Sequence, residues 1–210
     1  MYKLYFKRPL DLIFSVTLFI FISPLFLITA IILRIYYLGN PFFTQNRPGF
    51  QGKTFKLMKF KSMIEKFDDK GVLLPDDQRI TAFGKFIRKT SLDEMPQLLN
   101  IMLGDMSFIG PRPLLISYLP YYTDREHLRH SVRPGISGLA QVNGRNNLEF
   151  PQRLQLDIKY VENILFMNDV KIALQTVKNV LSGKDIVVVP SSAMLKDYRE
   201  RNPNWKGIGA

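Results

Sequence analysis

The hydrophobic pattern of the chain begins with one long apolar segment. From Leu12 to Leu33 the sequence carries no charged residue. Because an α-helix rises about 1.5 Å per residue, a helix of this length reaches roughly 33 Å, enough to cross a bilayer. A cleaved signal peptide fits poorly, since the apolar run is too long and no small-residue cleavage site follows it. The pattern therefore predicts an N-terminal membrane helix.

Two features leave the path of this helix open. Ser23-Pro24 lies near its middle, where proline removes a backbone donor and kinks a helix. The serine hydroxyl is expected to bond the carbonyl that proline leaves without a partner. Lys and Arg flank both ends of the segment, and such residues mark cytoplasmic flanks, so the rule is best met when both ends stay inside. A helix that spans the membrane and one that enters, breaks at Ser23-Pro24 and returns both fit.

After residue 41 the pattern changes to short alternating segments. Two short strands around a Pro-Gly turn predict a hairpin from Phe42 to Phe60. Inside it, GKT at Gly52–Thr54 resembles the end of a phosphate-binding loop. Arg47 stands where that motif needs glycine, so the motif is rejected.

Amphipathic helices and loops follow. TAFGKFIRK predicts a short basic helix with Phe83, Phe86 and Ile87 on one face. Two longer helices are predicted near the end of the chain, and we expect their apolar faces to pack in the core, with the membrane surface as the alternative for one or both. These faces are Leu154, Ile158, Val161 and Leu165 in one helix, and Val170, Ala173, Leu174, Val177 and Leu181 in the other. Residues 65–79, GPRP at 110–113 and 133–146 are predicted loops, and IVVVP at 186–190 predicts a short strand.

Composition narrows the chemistry. The chain has no cysteine, which excludes disulfides, thiolate nucleophiles and Cys-based zinc sites. Its net charge of +11 implies anionic partners, namely nucleic acid, anionic lipid or a phosphorylated substrate. His127 and His130 lie three residues apart with no further histidine to complete a metal site, so a solvated helix face is expected.

The adjacent carboxylates of Asp93 and Glu94 are the main chemical candidate. Ser91 followed by Glu94 fits a capping box. With Ser91 as the cap, however, Pro96 would sit inside the helix without an N–H, whereas with Asp93 as the cap it falls in the first turn, where no donor is needed. We therefore predict a helix that starts at Asp93, with both carboxylates at its positive end.

Helix starts also attract phosphate, and a reacting carboxylate there needs nearby cations. The sequence offers six basic residues close by in the chain or at other loop and strand ends: Lys59, Arg88, Lys89, Arg112, Arg133 and Arg145. Mg²⁺ held by one carboxylate and phosphate oxygens would complete the neutralisation. Asp93 would then be free to act as a nucleophile, and a plain helix cap is the alternative.

Four blocks of sequence resemble the bacterial sugar transferases, the monotopic polyprenyl-phosphate phosphoglycosyl transferases. They are KLMKFKSM (56–63), RKTSLDEMPQLLNIMLGDMSFIGPRP (88–113), RPGISGLAQVNGR (133–145) and LDIKYVEN (156–163). The similarity runs from about Lys7 to Gly183, and the short chain is similar to the small PglC-type enzymes of protein glycosylation, which suggests a bacillosamine-type amino sugar.

The resemblance implies a reaction and a place. A sugar-1-phosphate would pass from a UDP-sugar to polyprenyl (undecaprenyl) phosphate at the cytoplasmic face of the bacterial inner membrane, releasing UMP. This would be the first membrane step of glycoprotein, capsule or O-antigen synthesis, with downstream glycosyltransferases as further partners and no nucleic acid. The fold implied is α+β and predominantly helical, with a re-entrant helix broken at Ser23-Pro24, a small β-hairpin and amphipathic helices at the membrane surface. Its parts would be the membrane helix (1–38), a cytoplasmic catalytic domain (39–190) and a C-terminal tail (191–210).

The resemblance also assigns roles to residues. Asp93 would be the nucleophile that forms a covalent phosphosugar intermediate, and Glu94 the Mg²⁺ ligand. The remaining members would bind substrate phosphates or line the site: Lys59, Arg88, Arg112, Arg133, Arg145 and Asp157.

Two other functions stay open from sequence. A membrane-anchored, Mg²⁺-dependent phosphatase or phosphodiesterase would use the same Asp93 but transfer to water. A basic membrane-binding or nucleic-acid-binding module would need no Asp93 at all, although no known nucleic-acid motif is present.

Overall fold

The computed structural model describes residues 1–144, 148–182 and 195–202. Arg145 and the predicted IVVVP strand lie outside these ranges. The described chain is mostly helical with two small sheets, which confirms the α+β, predominantly helical part of the predicted fold. Nine α-helices are assigned in it: α1 Lys7–Tyr36, α2 Asp76–Arg79, α3 Ala82–Lys89, α4 Gln97–Leu103, α5 Asp124–His127, α6 Leu139–Val142, α7 Phe150–Glu162, α8 Phe166–Ser182 and α9 Leu195–Arg201. The strands are β1 Phe42–Pro48, β2 Thr54–Phe60, β3 Ser107–Ile109 and β4 Gly135–Ser137.

Helix α1 runs without interruption through Pro24 and follows a short π-helical turn, Tyr2–Phe6. Pro24 has no N–H to bond the carbonyl of Ile20, four residues earlier. Ser23 Oγ donates to this carbonyl at 2.8 Å, which confirms the predicted role of the serine hydroxyl. The predicted break of the helix at Ser23-Pro24 is therefore not found: α1 is continuous there, and Pro24 leaves only one missing backbone hydrogen bond.

Helix α1 packs against the rest of the chain from its first turn to its last. Near its start, Arg8 donates to the carbonyls of Ile101 and Met102 at the end of α4, at 2.6 and 3.1 Å. Near its end, Leu33 is fully buried and belongs to one hydrophobic cluster with Phe60. The remaining surface of α1 is apolar and exposed, and the segment is long and hydrophobic enough to cross a membrane.

Strands β1 and β2 form the predicted antiparallel hairpin, with Phe42 opposite Phe60 and Pro48 opposite Thr54. The turn between them holds Gln51 at a φ of 55°, which is unusual for a residue with a side chain. The inner face of the hairpin buries Phe55, Leu57 and Phe60. The hairpin prediction is confirmed to the residue at both ends.

Strands β3 and β4 pair in parallel, with Ser107 opposite Gly135 and Ile109 opposite Ser137. The segment 133–146, predicted as a loop without regular structure, thus contains a strand and the short helix α6. Glycine makes this possible, because a Cβ on Gly135 would lie 2.2 Å from the backbone nitrogen of Gly110. Neither element shows a periodic pattern in the sequence, because β4 has only three residues and α6 only four.

The two late helices differ in what they bury. In α7, Leu154, Ile158 and Val161 are buried as predicted, while Leu165 lies beyond the helix end and is exposed. In α8 the predicted apolar face is exposed: Leu174 is 66% and Leu181 83% accessible.

The prediction that the apolar face of α8 packs in the core is therefore wrong, and the alternative of a surface position stands. Helix α8 instead buries Asp169, Ile172 and Asn179. Asp169 accepts hydrogen bonds from Tyr2 and Tyr160 at 2.7 and 2.8 Å, and Lys7 bonds it as well. Satisfied polar groups can face inward, and hydrophobic spacing alone does not say whether a face meets protein or lipid.

Candidate active site

The backbone around the acid pair is a tight turn that precedes helix α4. Leu92–Glu94 form a 3₁₀ turn, Ser91 has a φ of 57°, and α4 begins at Gln97 with Pro96 as its N-cap. The predicted α-helix start at Asp93 is wrong. Glu94 and Met95 instead donate to the carbonyls of Ser91 and Leu92, three residues earlier, at 3.1 and 3.2 Å, which is the pattern of a 3₁₀ turn.

Ser91 makes no side-chain cap, as the sequence argument against the capping box expected. The acid pair is held by the turn and by what packs on it. Asp93 is 7% exposed, and Met95 beside it belongs to the cluster that packs against α1. The carboxylates are thus fixed at the junction of α3, α4 and α1.

Two cations from distant parts of the chain meet the acid pair. Lys59 on β2 lies 3.3 Å from Asp93 Oδ2 and 2.9 Å from Glu94 Oε1. Arg112, in the GPRP loop after β3, donates from Nη2 to the same Glu94 oxygen at 2.7 Å. Arg88 on α3 donates to Ser62 Oγ at 2.8 Å, and its charge acts on Asp93. The fold therefore brings together Asp93, Glu94, Lys59, Arg88 and Arg112.

The two acids differ in their proton affinity. Burial raises the pKa of Asp93 and Glu94 adds to this, while Lys59 acts in the opposite direction. Burial also works to raise the pKa of Glu94, but Arg112 and Lys59 outweigh it and hold that pKa well below its usual range. Glu94 is therefore a firmly anionic anchor, and Asp93 is a more basic carboxylate.

Asp157 lies behind the site. It is 4% exposed and forms a 2.7 Å ion pair with Arg129, which is 3% exposed. Arg129 also donates to the backbone carbonyl of Arg112 at 2.6 Å and to Tyr122 Oη at 2.9 Å. Asp157 thus acts on the site through Arg129, by fixing the backbone of the loop that carries Arg112.

Arg133 lies apart from the acid pair. Its Nε donates to the carbonyl of Gly104 at 2.7 Å, and its guanidinium lies over the ring of Phe50 at 5.6 Å. Arg145 lies outside the described residues.

Sequence reasoning missed Arg129, because its segment was considered only for its histidines. Nothing in the local sequence distinguishes Arg129 from Arg125 nearby, which is exposed and pairs with Glu162 at 3.2 Å. The histidine prediction is also partly wrong, since His130 is buried. Burial and then the charge of Arg129 lower the pKa of His130 to about 4, so this imidazole is neutral.

The donor set at the acid pair suits a hard cation. Among the described residues no group of three or more His, Cys, Asp or Glu side chains could hold a metal. Mg²⁺ does not need such a cage, because it commonly binds one or two carboxylates together with substrate phosphates and water. Glu94, held anionic beside Asp93, fits this requirement.

Comparison with known proteins defines the class. Residues 2–183 match the bacterial sugar transferase family. The chain is 48% identical to a sugar transferase, EpsL, of Bacillus subtilis, over 86% of this chain and 89% of that one. It is 41% identical to a UDP-glucose:undecaprenyl-phosphate glucose-1-phosphate transferase of Klebsiella pneumoniae, and 37% identical to an undecaprenyl-phosphate galactose phosphotransferase of Salmonella typhimurium.

The chain belongs to the bacterial sugar transferase family, and it is a sugar-phosphate transferase. It covers 82% and 83% of its own length in the matches to the Klebsiella and Salmonella proteins, but only 39% and 40% of theirs. What it shares with them is thus the segment that contains the acid pair and its cations.

Proposed function

We propose that this protein transfers a sugar-1-phosphate from a UDP-sugar to polyprenyl phosphate and releases UMP. The observation that carries the proposal is the buried pair Asp93 and Glu94 in contact with Lys59 and Arg112. Phosphoryl transfer needs positioning and charge neutralisation more than acid–base catalysis, and this cluster offers both. The activities for which the Klebsiella and Salmonella relatives are named support the same reaction.

The proposed chemistry has two displacements at one phosphorus. Asp93 Oδ attacks the β-phosphorus of the UDP-sugar, the bond from that phosphorus to the bridging oxygen breaks, and UMP leaves with the electron pair. A phosphate oxygen of the lipid then attacks the aspartyl phosphosugar, and Asp93 leaves as a carboxylate. The product is a polyprenyl diphospho-sugar, and no net proton transfer to an enzyme group is needed.

The side chains around Asp93 have separate tasks in this scheme. Lys59 favours the anionic form of Asp93, which is the nucleophilic form. Arg112 and Arg88 offset the charge of the phosphates, and Arg112 is itself held by Glu94. When bound, Mg²⁺ would neutralise phosphate charge further, and Glu94 would hold it together with substrate oxygens.

We also propose that helix α1 is re-entrant, with both ends on the cytoplasmic face of the inner membrane. Lys7 bonds Asp169 near the start of the helix, and Tyr37 Oη lies 3.2 Å from Thr81 Oγ1 just after its end. A helix that crossed the bilayer would carry one of these ends away from the domain. Tags placed at the N-terminus and after Gly39 should both report the cytoplasmic side, and opposite sides would refute this topology.

The reaction is tested by UMP release from a panel of UDP-sugars with Mg²⁺ and polyprenyl phosphate. The panel should contain UDP-glucose and UDP-galactose, the donors suggested by the named relatives, and a UDP-linked amino sugar, so that it also identifies the sugar. The amino sugar and the role in protein glycosylation stay predictions. Asp93→Asn should abolish turnover while membrane association persists. Asp69→Asn, which removes an exposed carboxylate from a loop, is the matched control.

Two outcomes would decide against the proposal. Release of UMP that never requires the lipid, with free sugar phosphate accumulating, would indicate a phosphodiesterase. Substantial turnover by Asp93→Asn would remove the nucleophile assignment. The covalent intermediate should be visible directly by mass spectrometry. Wild-type protein incubated with the UDP-sugar but without lipid should gain the mass of one phosphosugar, and Asp93→Asn should not.

A further inference from the structure

Asn100 is a fully buried amide that joins helix α4 to strand β2. Its Nδ2 donates to the carbonyl of Lys56 at 2.8 Å, and its Oδ1 accepts from the N–H of Met58 at 2.9 Å. Nδ2 also donates to Asp105 Oδ2 at 3.2 Å. Because a carbonyl and a carboxylate only accept, and a backbone N–H only donates, one orientation of the amide alone satisfies these partners.

The two bonds from Asn100 to β2 cover an edge of the hairpin. In the described part of the chain, the sheet that contains β2 has only β1 as its second strand, so the other edge of β2 has no strand beside it. The carbonyl of Lys56 and the N–H of Met58 lie on that edge and would lack partners without the amide. Asn100 thus does for β2 what a peptide group of a neighbouring strand would do.

Strand β2 and helix α4 are the elements that carry the opposite charges of the site. Lys59 follows Met58 on β2 and lies 3.3 Å from Asp93 Oδ2 and 2.9 Å from Glu94 Oε1. The acid pair lies in the 3₁₀ turn just before α4. The distance between the cation and the acids therefore depends on how β2 lies along α4.

The apolar packing between β2 and α4 does not fix this distance closely. It forms one hydrophobic cluster, with Phe55 and Leu57 from the strand and Leu98 and Ile101 from the helix. Hydrophobic contact is non-directional, whereas a hydrogen bond weakens steeply when its length or angle changes. The bonds of Asn100 are therefore the contacts that define the position of the strand along the helix.

We propose that Asn100 is a positioning residue that holds Lys59 against Asp93 and Glu94 by fixing β2 to α4. The inference rests on the proposed function, and it adds the group that sets the distance between the nucleophile and its cation. Asn100 acts through the backbone of β2 and not by contact with the substrate.

Zero-length crosslinking tests this role without turnover. A carbodiimide couples an amine to a carboxylate that it touches, so the amide formed between Lys59 and Glu94 in the detergent-solubilised full chain can be quantified by mass spectrometry. Asn100→Ala should lower the yield of this crosslink several-fold. The matched control is Asn179→Ala, which removes a buried amide that bonds the carbonyl of Val142 at 3.2 Å, and it should give the wild-type yield. A wild-type yield in a folded Asn100→Ala would overturn the proposal.

Kinetics separates positioning from a general loss of stability. Asn100→Ala should lower kcat/KM for UMP release by about 100-fold, the effect of a misplacement of about 1 Å, and mainly through kcat. In a Lys59→Met background the same substitution should cause a much smaller loss, because the cation that it positions is absent. Losses from Asn100→Ala and Lys59→Met that multiply in full would contradict the role through Lys59.

A second variant covers loss of folding, which is monitored by near-ultraviolet circular dichroism. Asn100→Asp keeps the shape of the side chain and the acceptor for Met58, but it has no donor for the Lys56 carbonyl and turns a carboxylate towards that of Asp105. The crosslink yield should fall here too, and a wild-type yield in Asn100→Asp would overturn the proposal if Asn100→Ala does not fold. Because crosslinking needs no substrate, failure of the transferase reaction would be seen separately, as a normal crosslink in wild-type protein that releases no UMP.

Discussion

Removal of the buried carboxylate of Asp157 should destabilise the protein and impair catalysis through Arg129. Asp157→Asn keeps the shape of the side chain but leaves the Arg129 guanidinium, 3% exposed, without its counter-ion. At an effective dielectric constant of about 20, two charges about 4 Å apart attract by about 4 kcal/mol. Breaking a buried pair by removing one partner typically costs about 3–5 kcal/mol, which agrees with this value.

The measurement is thermal unfolding in detergent, followed by circular dichroism. For a chain of this size about 1 kcal/mol corresponds to about 2–4 °C, so Tm should fall by about 10 °C. Arg125→Gln, which breaks an exposed pair with Glu162, is the control and should change stability by less than about 1 kcal/mol.

A double variant separates stability from the role in catalysis. Asp157→Leu with Arg129→Met removes both buried charges and should recover most of the lost stability. Its kcat/KM should remain low, because the carbonyl of Arg112 no longer has the donor that fixes the loop. A change in Tm of less than about 2 °C for Asp157→Asn would refute the electrostatic reasoning, and full activity of the double variant would refute the positioning role.

Two further predictions concern the acid pair and its support. Lys59→Met removes a cation that lowers the pKa of Asp93, so that pKa should rise. The acid limb of kcat/KM, where Asp93 becomes protonated and inactive, should therefore move to higher pH, whereas Lys59→Arg should leave it in place. A limb that does not move in Lys59→Met would contradict this. Gly84→Ala should destabilise by at least about 1–3 kcal/mol, because the new Cβ would lie 1.8 Å from the carbonyl oxygen of Ser62 and would push α3, with Arg88, away from the site. In the matched control Gly39→Ala, the Cβ meets no atom closer than 3.8 Å, so thermal unfolding should show a change within about 0.5 kcal/mol of wild type.

Local sequence patterns predicted those elements that depend only on residues close together in the chain. The hairpin from Phe42 to Phe60 is defined by two alternating strands and a turn, and it forms in that register. The bond from Ser23 to the Ile20 carbonyl follows from the chemistry of proline alone. The acid turn was misjudged because a 3₁₀ turn and a first α-helical turn use nearly the same residues, and only hydrogen bonds to Leu92 and Ser91 distinguish them.

Sequence by itself determined the chemistry that this protein carries, namely an adjacent acid pair, basic residues in separate blocks, no cysteine and an apolar N-terminal helix. Only the tertiary structure decided which charges meet. It placed Lys59 and Arg112 on Glu94, left Arg133 at the end of α4, and joined Asp157 to the GPRP loop through Arg129. The physical reason is that a salt bridge depends on a few ångströms between groups far apart in the chain, whereas helix and strand patterns depend on neighbours within one or two turns.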